Sequence, residues 1–229
     1  MMRPALCLTV PGLHGSGADH WQTWAEREIP NCRRVQGIDF EQPVVAAWAD
    51  AIRQDIRQVP GDVILLAHSF GCLASVLAVA DHDTKVSAVV LVAPASPKRF
   101  GPSGLLEQGK GSSLVPSAHV DLTACLPLTP LPIPGVLLGS ENDPWMTSED
   151  ASHWAHIWGL KWVSLGNAGH VNTASGYGRW PAVARLVELL RERLTPFPLG
   201  EFGEQGERLS KNRFSALTKA RRLTREILI

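Results

Sequence analysis

Short, mainly apolar runs recur along the chain at ALCLTV (5–10), VILLA (63–67), VSAVVLVA (86–93), GVLLG (135–139) and KWVSL (161–165). Runs of this length with little polar alternation predict strands covered on both faces, as in a parallel sheet. Between them the apolar positions change to a helical period. Val45, Trp48, Ile52 and Ile56 follow Pro43, a residue suited to a first helical turn. Ala151, Trp154, Ala155 and Trp158 follow the capping pattern Thr147-Ser148-Glu149-Asp150, and Val183, Leu186, Val187, Leu190 and Leu194 follow Trp180-Pro181. Strands alternating with helices predict an α/β chain: a three-layer αβα sandwich around a mostly parallel sheet.

Two regions interrupt this rhythm. Residues 95–134 are dense in Gly, Pro and Ser and read as a long surface excursion with little regular structure, without the sustained stripe that a stable apolar lid needs. Beyond Leu194 the chain turns linker-like, and residues 196–229 carry seven Lys or Arg against four Glu. The expected organisation is one domain over 1–195 and a basic extension over 196–229. The sparse stripe of Phe214, Leu217, Leu223 and Ile227 favours a frayed end over a helix docking on a protein partner or an anionic surface.

Composition narrows the classes of partner. Lys plus Arg and Asp plus Glu balance at 22 each, which gives no electrostatic footprint for nucleic acid and leaves a small molecule as the expected partner. Cys7, Cys32, Cys72 and Cys125 are scattered without C-x-x-C spacing, mostly in apolar surroundings, and suggest reduced thiols in a cytoplasmic protein. The apolar run near the start is too short for a signal sequence, and no run reaches the length of a membrane span.

The candidate chemistry lies in ILLAHSFGCLA (64–74), where a predicted strand meets His68, Ser69 and Gly71 and then becomes apolar again. This is the sequence form of a sharp strand-to-helix turn that lifts a serine hydroxyl above a sheet edge, with Ala67 in place of the usual first glycine. The competing reading of Ser69 is a simple helix cap. A nucleophilic serine needs a histidine to take its proton and a carboxylate to orient that histidine. Asp143 in SENDPW and His170 in GNAGH each follow a predicted strand, so all three residues are expected at the carboxyl ends of the sheet. Glu141 competes with Asp143, which is preferred because Pro144 fixes its turn. His68 is expected to point away, and His153 and His156, three apart, have no third ligand at zinc spacing.

Negative charge on a former carbonyl oxygen needs donors. Phe70 N–H, directly after the serine, and Leu13 N–H in VPGLHGSG (10–17) are the candidates for this oxyanion hole, with His14 N–H the alternative to Leu13. The same glycines faintly suggest a phosphate loop, but the Walker lysine and the dinucleotide spacing are missing. No cofactor motif and no metal site are found. His14, Trp21, Trp145 and Trp180 are candidates for the walls of a substrate pocket, with plain core packing the competing reading for the tryptophans.

Taken together, PGLHGSGADHWQ, AHSFGCLA, SENDPW and GNAGHVNTASGYGRWP resemble the small bacterial serine hydrolases related to retinoblastoma-binding protein 9, a compact branch of the α/β-hydrolase superfamily. The resemblance covers residues 5–95 and 133–194. It implies a compact α/β-hydrolase fold without the usual opening hairpin, a triad of Ser69, Asp143 and His170, and hydrolysis of small esters or related acyl compounds. The competing classes are a binding or regulatory module on a hydrolase scaffold and an acyltransferase.

Overall fold

The computed structural model describes residues 4–80, 85–105 and 121–194. In chain order the elements are β1 (Leu6–Val10), α1 (Trp21–Glu28), β2 (Cys32–Arg34), α2 (Val45–Gln58), β3 (Val63–His68), α3 (Phe70–Val79) and β4 (Val86–Val92). A two-residue hairpin follows, β5 (Phe100–Gly101) with β6 (Gly104–Leu105), and then β7 (Gly135–Gly139), α4 (Ser148–Ile157), β8 (Lys161–Ser164) and α5 (Pro181–Leu194). Six strands form one sheet in the order β2-β1-β3-β4-β7-β8, and every neighbouring pair is parallel.

Each of the five predicted strands is present, and their unbroken apolar character has a direct cause: helices cover both faces. On one face α2, α3 and α4 bring Trp48, Ile52, Phe70, Leu73, Trp154 and Trp158 against Leu8, Leu65 and Leu91. On the other, α1 and α5 bring Trp21, Ala25, Val183 and Val187 against Ile64, Leu66, Val90 and Val92. The three predicted helices occur at α2, α4 and α5. Thr147 caps α4 as its pattern predicts, its hydroxyl accepting from Asp150 N–H at 3.1 Å.

The connection between β4 and β7 departs from the sequence expectation. It is irregular, but it is not simply a surface excursion: Ala95, Pro97, Phe100, Leu122, Leu126 and Leu131 are buried in the core on the α2 side of the sheet or beside it. Residues 106–120 of this stretch, and the extension 196–229, lie outside the described residues. Among the described residues no helix is long and apolar enough to cross a membrane.

The strand order fixes the position of the site. From β1 the chain moves outward to β2, then returns across β1 to β3 and continues in the other direction. The loops leaving the carboxyl ends of β1 and β3 therefore diverge to opposite faces and open a crevice between them, where open parallel sheets hold their ligands.

Candidate active site

Ser69 is the single residue between β3 and α3, and its backbone is forced into φ 53°, ψ −126°. That left-handed conformation is costly for a residue with a Cβ and persists only where the surroundings impose it. They do so through close approach. A Cβ on Gly71 would lie 2.3 Å from Pro11 O and 2.5 Å from Val10 O, so the start of α3 can press against the end of β1 only with glycine there. Ala67, fully buried, occupies the first small position. The Ser69 side chain makes no capping hydrogen bond to α3. Its Oγ lies 2.9 Å from His170 Nε2.

His170 reaches Ser69 from the loop after β8. Its Nδ1 lies 2.9 and 3.0 Å from the two carboxylate oxygens of Asp143, on the loop after β7, and both side chains are nearly enclosed, 7% and 3% exposed. A carboxylate only accepts, so Nδ1 carries the proton and Nε2 is left as the acceptor for the serine hydroxyl. The two loops are tied together at several points. Asn142 Oδ1 accepts from Gly169 N–H at 2.7 Å and Ser140 Oγ accepts from Ala168 N–H at 2.9 Å, while within the loop after β7 Asp143 Oδ1 accepts from Trp145 N–H at 2.8 Å. Glu141 is exposed and accepts instead from the Ser164 hydroxyl at 3.0 Å, away from His170. Val171, directly after the histidine, is also left-handed at φ 48°, and its carbonyl accepts the Trp21 indole N–H at 2.8 Å.

The loop after β1 forms the facing wall. A Cβ on Gly12 would lie 2.6 Å from Ser69 Cβ, so glycine is what lets this backbone pass beside the serine. Leu13 N–H has no hydrogen-bond partner among the described residues, whereas His14 N–H donates to Phe40 O at 2.9 Å. The alternative donor His14 is therefore already occupied. Beneath the loop the buried Gln22 donates to Val10 O at 3.2 Å and Leu66 O at 3.0 Å and accepts from Ser16 Oγ at 2.7 Å, fastening the ends of β1 and β3 to α1.

These groups surround a cleft of about 310 Å³ lined by Gly12, Leu13, His14, Ser69, Phe100, Trp145, His170 and the 172–174 turn, with His20 and His68 among the lining. Of the four pocket candidates, His14 and Trp145 line it. Trp145 stacks on His170 with ring centroids 5.6 Å apart and carries the Arg99 guanidinium 4.7 Å from its own centroid. Trp21 and Trp180 do not line it: Trp21 is fully enclosed, and the two indoles pack edge to face at 5.2 Å within the α1–α5 core. His68 also departs from expectation. Rather than turning away, it donates from Nε2 to His170 O at 2.9 Å and packs 4.9 Å from the His170 ring.

Sequence reasoning missed Phe100 and the pairing of His20 with His68. Phe100 was hidden in a Gly- and Pro-rich stretch. His20 has a usable signal in the DHWQ segment (19–22), where a histidine precedes a buried tryptophan. Cys72, three residues after Ser69, is not a candidate nucleophile: burial pushes its thiol well up. His153 and His156 are exposed on α4, and among the described residues no cluster of three or more His, Cys, Asp or Glu could hold a metal ion.

No curated protein matches the chain in sequence. Solved structures do match. A protein described as a YdeN-like hydrolase from Pectobacterium atrosepticum is 31% identical, with 84% of this chain and 94% of that one covered and a TM-score of 0.70. The ydeN gene product of B. subtilis shares the fold at 16% identity, covering 81% and 98% with a TM-score of 0.61. Est1E from Butyrivibrio proteoclasticus, solved with ferulic acid bound, shares it at 15% identity, covering 83% and 88% with a TM-score of 0.56. These neighbours make the three-layer sandwich an α/β-hydrolase fold. The profile of the serine hydrolase family matches residues 7–189, a span from within β1 to within α5 that contains every side chain of the site, and the chain belongs to that serine hydrolase family.

Proposed function

We propose that the protein is a carboxylesterase-like serine hydrolase acting on small acyl esters through Ser69, His170 and Asp143. The observation that carries this reading is the unbroken hydrogen-bonded line from Ser69 Oγ through the His170 imidazole to the Asp143 carboxylate, on the floor of a cleft. His170 Nε2 takes the hydroxyl proton as Ser69 Oγ attacks the ester carbonyl. Asp143 holds the Nδ1 proton in place and stabilises the imidazolium that forms. The oxyanion is received by Leu13 N–H and Phe70 N–H. As the tetrahedral intermediate collapses, His170 returns its proton to the departing alcohol, leaving Ser69 acylated. Water then enters where the alcohol left, gives its proton to His170 Nε2 as it attacks the acyl carbonyl, and the acid departs as the bond to Ser69 Oγ breaks and His170 returns the proton to that oxygen.

The cleft supports small substrates, since about 310 Å³ is at the low end for small-molecule sites. The resemblance of its motifs to those of hydrolases related to retinoblastoma-binding protein 9 supports the same class. The buried free thiols of Cys7 and Cys72 support a reducing, cytoplasmic setting. Labelling with a fluorophosphonate, followed by a panel of nitrophenyl esters, tests the reading. Ser69→Ala is expected to lose both labelling and turnover while keeping its melting temperature within a few degrees. Full labelling of that variant would refute the nucleophile assignment.

A further inference from the structure

Two cleft histidines have no part in that proton relay. His20 and His68 are 6% and 5% exposed, their ring centroids 5.0 Å apart, and both line the cleft that contains Ser69. One nitrogen of each is fixed by a partner of unambiguous chemistry. Gln22 N–H can only donate, and it donates to His20 Nδ1 at 3.2 Å, so the neutral ring carries its proton on Nε2. The His170 carbonyl can only accept, and it accepts from His68 Nε2 at 2.9 Å, so the neutral ring has its lone pair on Nδ1. Both rings are held neutral. Burial, with Arg34 and His170 adding to it, lowers His20 to about 4, and burial followed by His170 and His20 takes His68 well below the ordinary histidine range.

The second nitrogen of each ring has no hydrogen-bond partner among the described residues. Neither is among the fully enclosed side-chain atoms that lack a partner, which among the described residues are Arg53 Nε, Ser75 Oγ and Thr123 Oγ1. Both nitrogens therefore keep an opening, and both residues line the cleft.

We infer that His20 Nε2–H and His68 Nδ1 form a neutral donor–acceptor pair that binds a hydroxyl group of the substrate beside Ser69. A hydroxyl both donates and accepts, so one group satisfies both nitrogens. A carboxylate would face the His68 lone pair, an ammonium would face the His20 N–H, and an alkyl group would displace water while leaving both nitrogens unpaired. This inference rests on the serine hydrolase reading and gives it a substrate class: hydroxylated esters, with the hydroxyl on the acyl chain or on the alcohol.

The test compares kcat/KM for matched esters. Nitrophenyl 2- and 3-hydroxybutyrate against nitrophenyl butyrate examines the acyl side, and the ethylene glycol monoester of butyric acid against ethyl butyrate examines the alcohol side. In one of the two arms the hydroxylated ester is expected to be favoured by about tenfold, the return on two modest hydrogen bonds. His20→Asn keeps a good cap for α1 but is too short to present the donor, and His68→Leu removes the Nδ1 acceptor, with retained fluorophosphonate labelling showing that Ser69 and His170 stay in place. Each is expected to bring the ratio close to one, and the second variant carries the test if the first fails to fold. Ratios near one for the wild type in both arms, or a preference that survives both substitutions, would overturn the pair. Fluorophosphonate labelling of Ser69 in the wild type separates the two levels: labelling with flat ratios overturns the hydroxyl subsite alone, whereas no labelling and no cleavage of plain butyrate overturns the nucleophile on which it rests.

Discussion

Gly12→Ala offers a sharp test of how the two halves of the site are held together. The added methyl carbon would lie 2.6 Å from Ser69 Cβ and 3.1 Å from its Oγ, against 3.4 Å or more in ordinary contact. The loop and the serine must therefore separate by about 0.4 Å to escape an outright clash and by about 0.8 Å to reach ordinary contact. Neither side yields easily. Ser69 is locked at a left-handed φ by Gly71 against β1, and the loop is anchored by His14 N–H on Phe40 O and by Gln22 beneath it. Overpacking of this kind costs about 1–3 kcal/mol of stability. A displacement near 1 Å at a reacting centre costs roughly a hundredfold in rate. We therefore expect kcat/KM for nitrophenyl butyrate to fall about a hundredfold and the unfolding midpoint in urea to fall with it. A double-mutant cycle isolates the cause. In a Ser69→Gly background the opposing Cβ is gone, and Gly12→Ala should cost little stability. If it destabilises both backgrounds equally, the contact with Ser69 is not the reason and the close-approach argument is wrong.

Asp143→Asn is expected to lower turnover by about 10⁴ by favouring the wrong tautomer of His170, while Glu141→Gln, whose carboxylate meets only Ser164, should stay within a few-fold of wild type; the reverse ranking in kcat would reassign the acid. A pH series of thermal melts should show stability falling between about pH 6.5 and 4, because the unfolded chain protonates His20 near 6.5 and the fold resists until about 4. Stability from a lowered histidine is complete above the unfolded value and is lost as pH falls through the folded one; the gap corresponds to about 3 kcal/mol, with His68 acting in the same direction. A melting temperature flat from pH 7 to 4.5, or equally steep in His20→Asn, would contradict this. Nitrophenyl butyrate should be cleaved with higher kcat/KM than the palmitate ester and without a rise in rate above the micellar threshold, and a jump at that threshold would argue for a lid. Removal of residues 197–229 should leave kcat within twofold if the domain ends near residue 195, as read from the end of the Val183–Leu194 stripe.

What could be read from the chain beforehand follows the strength of the local signal. β3 and β4 are buried at nearly every position, so their apolar runs have one natural reading, and the sequence alone places the residues that follow β3, β7 and β8 at one end of the sheet. β2 was invisible because it is three residues long, Cys32–Arg34, and half-buried at the sheet edge, with Arg33 paired to Asp55 and Arg34 to Glu26. α1 was hidden because its buried face consists of Trp21, Gln22 and Ala25, too mixed for a stripe. Phe100 and its neighbours were misread because the excursion's Gly, Pro and Ser describe its backbone, while its few apolar residues decide where it packs. Trp21 and Trp180 are candidates for the pocket wall on proximity in sequence to the loops that carry Ser69, Asp143 and His170, but an indole such as that of Trp21, with its N–H hydrogen-bonded, serves just as well beneath a loop as beside a substrate.

Two of the residues at positive φ show why core and site cannot be separated in this protein. Ser69 and Val171, at φ 53° and 48°, flank the hydrogen bond from Ser69 to His170, one at each end. Each is held in place by a tryptophan-rich layer on a different face of the sheet: Ser69 at the head of α3, whose Phe70 packs on Trp48 at 4.8 Å, and Val171 through the Trp21 indole that takes its carbonyl. His68 bridges them, its ring against Trp21 and its Nε2 on the His170 carbonyl. Strain of about 1–3 kcal/mol at each position persists only while both layers are well packed. A cavity made in either, as by Trp48→Ala or Trp21→Ala, should therefore loosen the 2.9 Å contact between serine and histidine before it unfolds the sheet. The expected signature is turnover lost at temperatures well below the melting transition. Activity that instead follows the folded fraction throughout would mean that the elbow and the histidine loop hold their geometry without the support of the two tryptophans.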